Sequence, residues 1–165
     1  MRRSTTTATA PDREATQTPR MTFVNLPVKD IATAMEFFVT LGFSFDPQVT
    51  DGNSACMVIS DGAYVMLHAE PFFKEFTRSE ITDTSHSREV TMGVSAASRA
   101  QVDDLVDRAV AAGGQAMGGP QDQGGMYMRA FRDPDGHQWS LLHLGTAGPP
   151  DGTDGTRPRP ERHEP

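Results

Sequence analysis

The first half of the chain changes from the spacing of a strand to that of a helix. Residues 21–28 are mostly apolar and β-branched, which favours a strand. The apolar positions that follow recur in steps of four, three and three and so share one helical face: Ile31, Met35, Phe38 and Leu41. Asp30 stands where a helix is capped, and Gly42 stands where one ends.

Three short strands are predicted after this helix, at residues 43–45, 55–59 and 63–67. The last two are joined by the turn Ser60-Asp61-Gly62, whose Asp-Gly pair tolerates positive φ. The first half of the chain therefore has the order βαβββ.

The second half repeats this order. A strand at 90–95 precedes a helix that begins at the capping-box pair Ser98 and Gln101. The buried face of that helix is predicted to consist of Val102, Leu105, Val106, Ala109 and Val110. Strands are then predicted at 115–117, 126–132 and 137–144, and the glycine-rich residues 118–125 are interpreted as a flexible hairpin loop.

Three landmarks match between the halves. Asp30 corresponds to Ser98, Gly42 to Gly113 and Gly62 to Gly136, at offsets of 68, 71 and 74 residues. We interpret this drift as a diverged duplication. The predicted fold class is α+β, with tandem βαβββ repeats that form two half-barrel sheets around a cavity and carry their helices on the outside.

Composition sets the predicted boundaries. Residues 1–20 and 146–165 have almost nothing to bury, so we expect two disordered tails. The domain is expected at 21–145, with units at 21–70 and 88–145 and a linker at 71–87. Phe72, Phe73 and Phe76 in the linker suit a short helix, which either covers the pocket mouth or plugs the seam between the sheets.

Charge and cysteine content exclude several classes of function. The tails carry +2 and −1 of the total of −7, which leaves −8 for residues 21–145, so nucleic-acid binding is not expected. The single cysteine, Cys56, excludes an internal disulfide and a cysteine-based zinc site. No membrane segment or signal peptide is expected, which makes the cytoplasm the predicted location. The patterned region begins at Met21, which gives the hypothesis of an alternative translation start there.

Three segments resemble the vicinal oxygen chelate superfamily, which includes glyoxalase I, bleomycin-resistance proteins and extradiol dioxygenases. They are Val28-Lys29-Asp30, Leu41-Gly42-Phe43 and Asp133-Pro134-Asp135-Gly136-His137. The resemblance covers about residues 21–145 and implies a half-barrel from each unit, with a cavity between them. It also implies a homodimer and, in the metal-dependent members, a divalent ion held by His and Glu side chains.

Carried over to this chain, the four metal-ligand positions fall on Phe23, Met66, Glu89 and Ser140. Only Glu89 has suitable chemistry for a hard cation. His68 and Glu89 are the remaining weak metal candidates, and no cofactor is expected. Glu89 has two further interpretations. It either binds a cationic ligand or acts as a general base in the cavity, or it pairs with an arginine at position 88, 129 or 132.

Other side chains are candidates for the cavity. Tyr127 and Arg129 share a strand face, so they either hold an anionic group of a ligand or lie exposed on the surface. Gln138 shares a face with Ser140 and is preferred to Asn25 as a polar cavity residue. Trp139 alternates with them and is expected to pack beneath a helix.

These observations favour a glyoxalase/bleomycin-resistance-like protein with a degenerate metal site that binds a small organic molecule in its cavity. The alternative is a metal-dependent lyase, isomerase or dioxygenase of glyoxalase type. The sequence does not decide whether the protein is an enzyme.

Overall fold

Two βαβββ units follow one another in residues 20–145, the part of the chain that the computed structural model describes. The first unit consists of β1 (Thr22–Val28), α1 (Ile31–Thr40), β2 (Ser44–Asp46), β3 (Ser54–Ser60) and β4 (Ala63–Ala69), and α2 (Glu70–Thr77) follows it. The second consists of β5 (Thr91–Ser95), α3 (Arg99–Ala111), β6 (Gln115–Gln123), β7 (Met126–Arg132) and β8 (Gln138–Leu144). The predicted order of elements is confirmed. The tails predicted to be disordered lie, except for Arg20, outside the described residues.

Each unit forms its own four-stranded sheet. The strand orders are β1-β4-β3-β2 and β5-β8-β7-β6, so the two sheets have the same topology. The first strand of each unit runs parallel to the last, and the remaining neighbours are antiparallel. These are the two predicted half-barrel sheets. They do not close on one another within residues 20–145. No helix in this part of the chain is both long and apolar enough to cross a bilayer.

Local sequence signals begin and end the two main helices. The Asp30 carboxylate accepts a hydrogen bond from the Thr33 amide at 2.7 Å. Ser98 Oγ accepts one from the Gln101 amide at 3.1 Å, and the Gln101 side chain accepts one from the Ala97 amide at 2.6 Å. Ser98 is therefore the N-cap that the sequence predicted, but the Gln101 side chain bonds to the amide before it and not to the Ser98 amide of a regular capping box.

One hydrophobic core is shared by both units. Phe38 on α1 packs against Trp139 of the second sheet, with ring centroids 5.0 Å apart. Its neighbour Phe37 packs against Phe131, with centroids 6.1 Å apart. All four rings are nearly or fully buried. The helix of the first unit therefore covers part of the second sheet, and the predicted position of Trp139 beneath a helix is confirmed.

A buried carboxylate organises the last hairpin. Asp133 Oδ1 accepts hydrogen bonds from the amides of Asp135 and His137 at 3.0 and 2.9 Å, and Oδ2 accepts one from the Trp139 indole at 2.9 Å. Burial raises the pKa of Asp133, against the opposing effects of His137 and the indole N–H. The turn before β8 is thus fixed from inside the protein.

His137 connects this hairpin to the first unit. Its Nε2 lies 2.7 Å from the Pro27 carbonyl oxygen on β1, and its Nδ1 lies 2.9 Å from Glu89 Oε1. The Lys29 amide donates to Asp135 Oδ1 at 2.9 Å. Since these bonds link residues about 50 to 110 positions apart, the hairpin fastens the edge of one sheet to the other.

Two local predictions were wrong. Val110 is 43% exposed rather than buried, because it lies at the edge of the buried face of α3, to which Val106 and Ala109 belong. The glycine-rich residues 118–125 are not a long loop, since β6 continues to Gln123 with one irregularity in register. Gly124 and Gly125 form the turn with φ of 58° and 80°, and an edge strand tolerates the remaining glycines.

Replacement of Asp133 tests the role of the hairpin. Asp133→Ala removes the acceptor of three N–H groups, one of them the buried Trp139 indole, so we expect unfolding to become easier by about 2–4 kcal/mol. Urea denaturation followed by tryptophan fluorescence measures this change. Asp61→Ala, at the corresponding exposed turn of the first unit, is the matched control and should cost less than about 0.5 kcal/mol. Equal effects of the two variants would contradict the assignment.

Candidate functional site

The strand faces opposite the shared core define the candidate site. Side chains alternate along β1, β3 and β4, so that one face of the sheet, which includes Leu26, Met57 and Val65, packs in the core. Six residues of the opposite face are called the first free face: Phe23, Asn25, Ser54, Tyr64, Met66 and His68. The corresponding residues of the second sheet form the second free face: Met128, Ala130, Gln138, Ser140 and Leu142.

An aromatic stack lies on the first free face. The rings of Phe23 and Tyr64, which are paired across β1 and β4, are 5.0 Å apart and inclined by only 15°. Phe23 remains 49% exposed. A flat apolar surface of this kind is available to a ring of a ligand.

A chain of hydrogen bonds lies further along the same face. Ser54 Oγ is 2.7 Å from His68 Nδ1, and Asn25 Oδ1 is 2.8 Å from His68 Nε2. Because the amide oxygen only accepts, Nε2 carries the proton and Nδ1 accepts from the serine hydroxyl. His68 is 6% exposed, and this burial lowers its pKa against the opposing effect of Asp51. The imidazole is therefore neutral at pH 7.

The aromatic residues of the linker surround this histidine. They lie on α2, so the predicted short helix is confirmed. The rings of Phe72, Phe73 and Phe76 have centroids 5.4, 6.3 and 5.9 Å from the His68 ring. They lie over the first free face, which agrees with a cover over the site better than with a plug between the sheets.

The four positions that correspond to metal ligands do not form a donor set. Phe23 and Met66 lie on the first free face, and Ser140 lies on the second. Glu89 precedes β5 and bonds to His137. Across residues 20–145, no group of three or more His, Cys, Asp or Glu side chains is placed to hold a metal ion. A phenyl ring, a thioether and a neutral hydroxyl do not suit a hard divalent cation.

The two weak metal candidates are engaged with different partners. His68 uses both ring nitrogens for Ser54 and Asn25. Glu89 pairs with His137, and this is not one of the arginine partners expected from the sequence. Glu89 borders a cavity of about 210 Å³, which Asn25 and Phe73 also line. A larger cavity of about 370 Å³ lies between α1 and α3, away from both free faces.

Tyr127 and Arg129 face the helix layer, not a free face. The Tyr127 hydroxyl donates to Asp103 at 2.8 Å, and Arg129 contacts Asp103 and Asp107 on α3 at 3.1 and 3.0 Å. The two side chains therefore match neither alternative drawn from the sequence, a ligand anchor or an exposed surface pair, and instead pack on α3. Because the acidic partners lie on a distant element, the spacing of Tyr127 and Arg129 alone did not reveal them.

Gln138 and Ser140 lie on the second free face, two residues apart on β8. Ser140 is opposite Ala130 on β7 and Gly93 on β5, and its side chain is nearly buried. Ser54 is not among the predicted cavity residues, because β3 begins one residue earlier than predicted. Asn25 lies on the same face as Phe23, as alternation along β1 indicates, although Gln138 was preferred to it as a polar cavity residue.

Several solved structures are similar to this fold. A hypothetical protein from S. aureus is 26% identical, with a TM-score of 0.66, and the match covers 74% of this chain and 92% of that one. A glyoxalase-related enzyme from Fulvimarina pelagi is 20% identical, with a TM-score of 0.64 and coverage of 75% and 87%. A bleomycin resistance determinant encoded on the transposon Tn5 is 20% identical, with a TM-score of 0.54 and coverage of 75% and 97%.

A family model gives the assignment that these structures leave open. No match was found among curated proteins. The model described as Glyoxalase/Bleomycin resistance protein/Dioxygenase superfamily matches residues 20–141, which contain the first unit and the second unit as far as the middle of β8. The chain therefore belongs to the glyoxalase/bleomycin resistance protein/dioxygenase superfamily.

Proposed function

We propose that the protein binds a small organic molecule on its free faces and that this binding needs no metal ion. The observation that carries the proposal is the stacked pair Phe23 and Tyr64, in which Phe23 remains about half-exposed. Phe23 stands at a position where metal-dependent relatives are expected to have a metal-coordinating side chain. An exposed ring is costly in water, and an aromatic ligand would cover it.

The rest of the first free face supports the same proposal. Met66 adds a flexible apolar side chain beside the stack, and thioethers adapt to ligands of irregular shape. Asn25, Ser54 and the neutral His68 supply polar groups without net charge. Mostly apolar walls with a few placed polar groups are typical of small-molecule sites.

The second free face contributes similar chemistry. Met128 and Leu142 are paired across β7 and β8, and Gln138 and Ser140 provide an amide and a hydroxyl. We propose that these residues contact the ligand as well, once a second copy of the chain brings the free faces together. The proposed form is thus a cytoplasmic homodimer whose partner is a small molecule rather than nucleic acid or membrane. The negative net charge of −7 supports the exclusion of nucleic acid.

The alternative, a metal-dependent lyase, isomerase or dioxygenase, has the family as its support. The side chains at the corresponding positions do not support it, since Phe23, Met66 and Ser140 are unsuitable ligands and Glu89 is held by His137. We therefore derive no reaction step through a metal ion.

Removal of the exposed ring tests the ligand site. In a thermal-shift screen of aromatic metabolites and bleomycin-type compounds, we expect compounds that raise Tm through binding. For such a compound, Phe23→Ala should raise the Kd measured by titration calorimetry about tenfold, because a ring contact is lost. Val39→Ala, which removes an exposed apolar side chain from α1, should leave Kd unchanged.

Two outcomes would contradict this proposal. One is a ligand whose affinity is the same for the wild type and the Phe23→Ala variant. The other is binding that disappears after dialysis against EDTA and returns with a stoichiometric divalent metal, which would favour the metal-dependent alternative.

The neutral state of His68 predicts a pH dependence of stability. Because burial lowers its pKa in the folded protein, its contribution is fully present above about pH 6.5 and is lost as the pH falls through the lowered value. The free energy of unfolding should therefore differ most between the wild type and His68→Gln at pH 7–8, and the difference should shrink towards pH 5.

Urea titrations at several pH values measure this difference. His86→Gln, which alters an exposed loop histidine, is the control and should follow the wild-type profile. A wild-type advantage that grows as the pH falls would show that His68 is charged in the folded protein.

A further inference from the structure

We propose that Ser54 is a nucleophile towards activated esters, with His68 as its general base and Asn25 as a positioning residue. The three side chains form one line of hydrogen bonds, with 2.7 Å from Ser54 Oγ to His68 Nδ1 and 2.8 Å from His68 Nε2 to Asn25 Oδ1. A hydroxyl, an imidazole and an orienting group in contact are the components of an activated serine. This activity goes beyond ligand binding.

The sheet fixes the relative positions of these groups. Ser54 and His68 are directly paired between β3 and β4, so their side chains lie on the same face. The Ser54 backbone is fixed as well, because Asp51 Oδ1 accepts hydrogen bonds from the amides of Ser54 and Asn53 at 2.9 and 2.7 Å. A nucleophile on a strand is held more rigidly than one on a loop.

The direction of proton transfer follows from the partners of the ring. Asn25 Oδ1 is an acceptor, so it holds the proton on Nε2 and leaves the Nδ1 lone pair for the Ser54 hydroxyl. His68 is also nearly buried. Ser54 itself is only partly buried and is open to a reagent.

The surroundings indicate the class of substrate. Phe72 and Phe76, whose rings lie 5.4 and 5.9 Å from that of His68, are 38% and 60% exposed. They offer an apolar surface beside the His68 ring. The substrate class is therefore an ester whose acyl group is apolar, such as a short alkyl or aryl chain.

The reaction is a transfer of the acyl group to Ser54 and then to water. Ser54 Oγ forms a bond to the carbonyl carbon while Nδ1 of His68 takes its proton. The bond from that carbon to the alcohol oxygen breaks, and the leaving alkoxide receives the same proton. Water then attacks the acyl-serine with His68 again as the base, which releases the carboxylic acid and restores the hydroxyl.

Covalent labelling tests the assignment on the intact protein. The probes are an alkyl fluorophosphonate and p-nitrophenyl butyrate. We expect one phosphonyl adduct per chain by intact mass, located on Ser54 by peptide mapping, and a burst of one nitrophenolate per chain. Ser54→Ala should give neither, whereas Ser60→Ala, which removes an exposed hydroxyl at the other end of β3, should behave as the wild type.

The variants of the two supporting residues separate chemistry from structure. His68→Gln should slow labelling by about a hundredfold, the usual contribution of a general base. Asn25→Asp keeps an acceptor for Nε2 and should label within a few fold of the wild type, whereas Asn25→Leu should be slowed at least tenfold. If His68→Gln fails to fold, the result on the wild-type protein still decides.

Absence of an adduct and of a burst in the folded wild type would overturn the proposal, and so would an adduct that persists in Ser54→Ala. In both cases the three side chains would only satisfy a buried histidine. Neither outcome affects ligand binding on the aromatic stack, which is measured separately with Phe23→Ala.

Discussion

The contact between α1 and the second sheet is the constraint on which the rest of the structure depends. Phe37 and Phe38 pack on Phe131 and Trp139, so the two units bury their apolar surface in one core. Burial of rings of this size supplies a large share of the hydrophobic stabilisation of a small domain. Because this core uses one face of each sheet, the two opposite faces, the first and second free faces, are not needed for its packing.

The Asp-Pro-Asp-Gly-His hairpin has a structural role that its resemblance to a family motif did not reveal. Asp133 holds the turn and the Trp139 indole from within, and His137 reaches both Pro27 on β1 and Glu89 before β5. The motif therefore aligns the second sheet with the edge of the first. It also explains why Glu89 is engaged in a structural pair beside the candidate site.

The sequence predicted the order of elements because caps, stops and apolar periods are local signals, as Asp30, Ser98 and Gly42 show. It predicted strand faces less well, since alternation gives two faces but not which one a helix covers. Tyr127 and Arg129 were misplaced for this reason, as their acidic partners on α3 are more than 20 residues away in sequence. The Ser54–His68–Asn25 chain was missed because it depends on the register of three strands, which no local pattern encodes.

Amide hydrogen exchange of a Phe38→Ala variant tests the shared core most directly. The core belongs to both units, so the loss of this ring, which should cost about 3–5 kcal/mol, should accelerate exchange about a hundredfold or more in β4 and to the same extent in β8. The protein would then unfold as one cooperative unit. Faster exchange confined to the strands of the first sheet, with β8 as protected as in the wild type, would contradict a core common to both sheets.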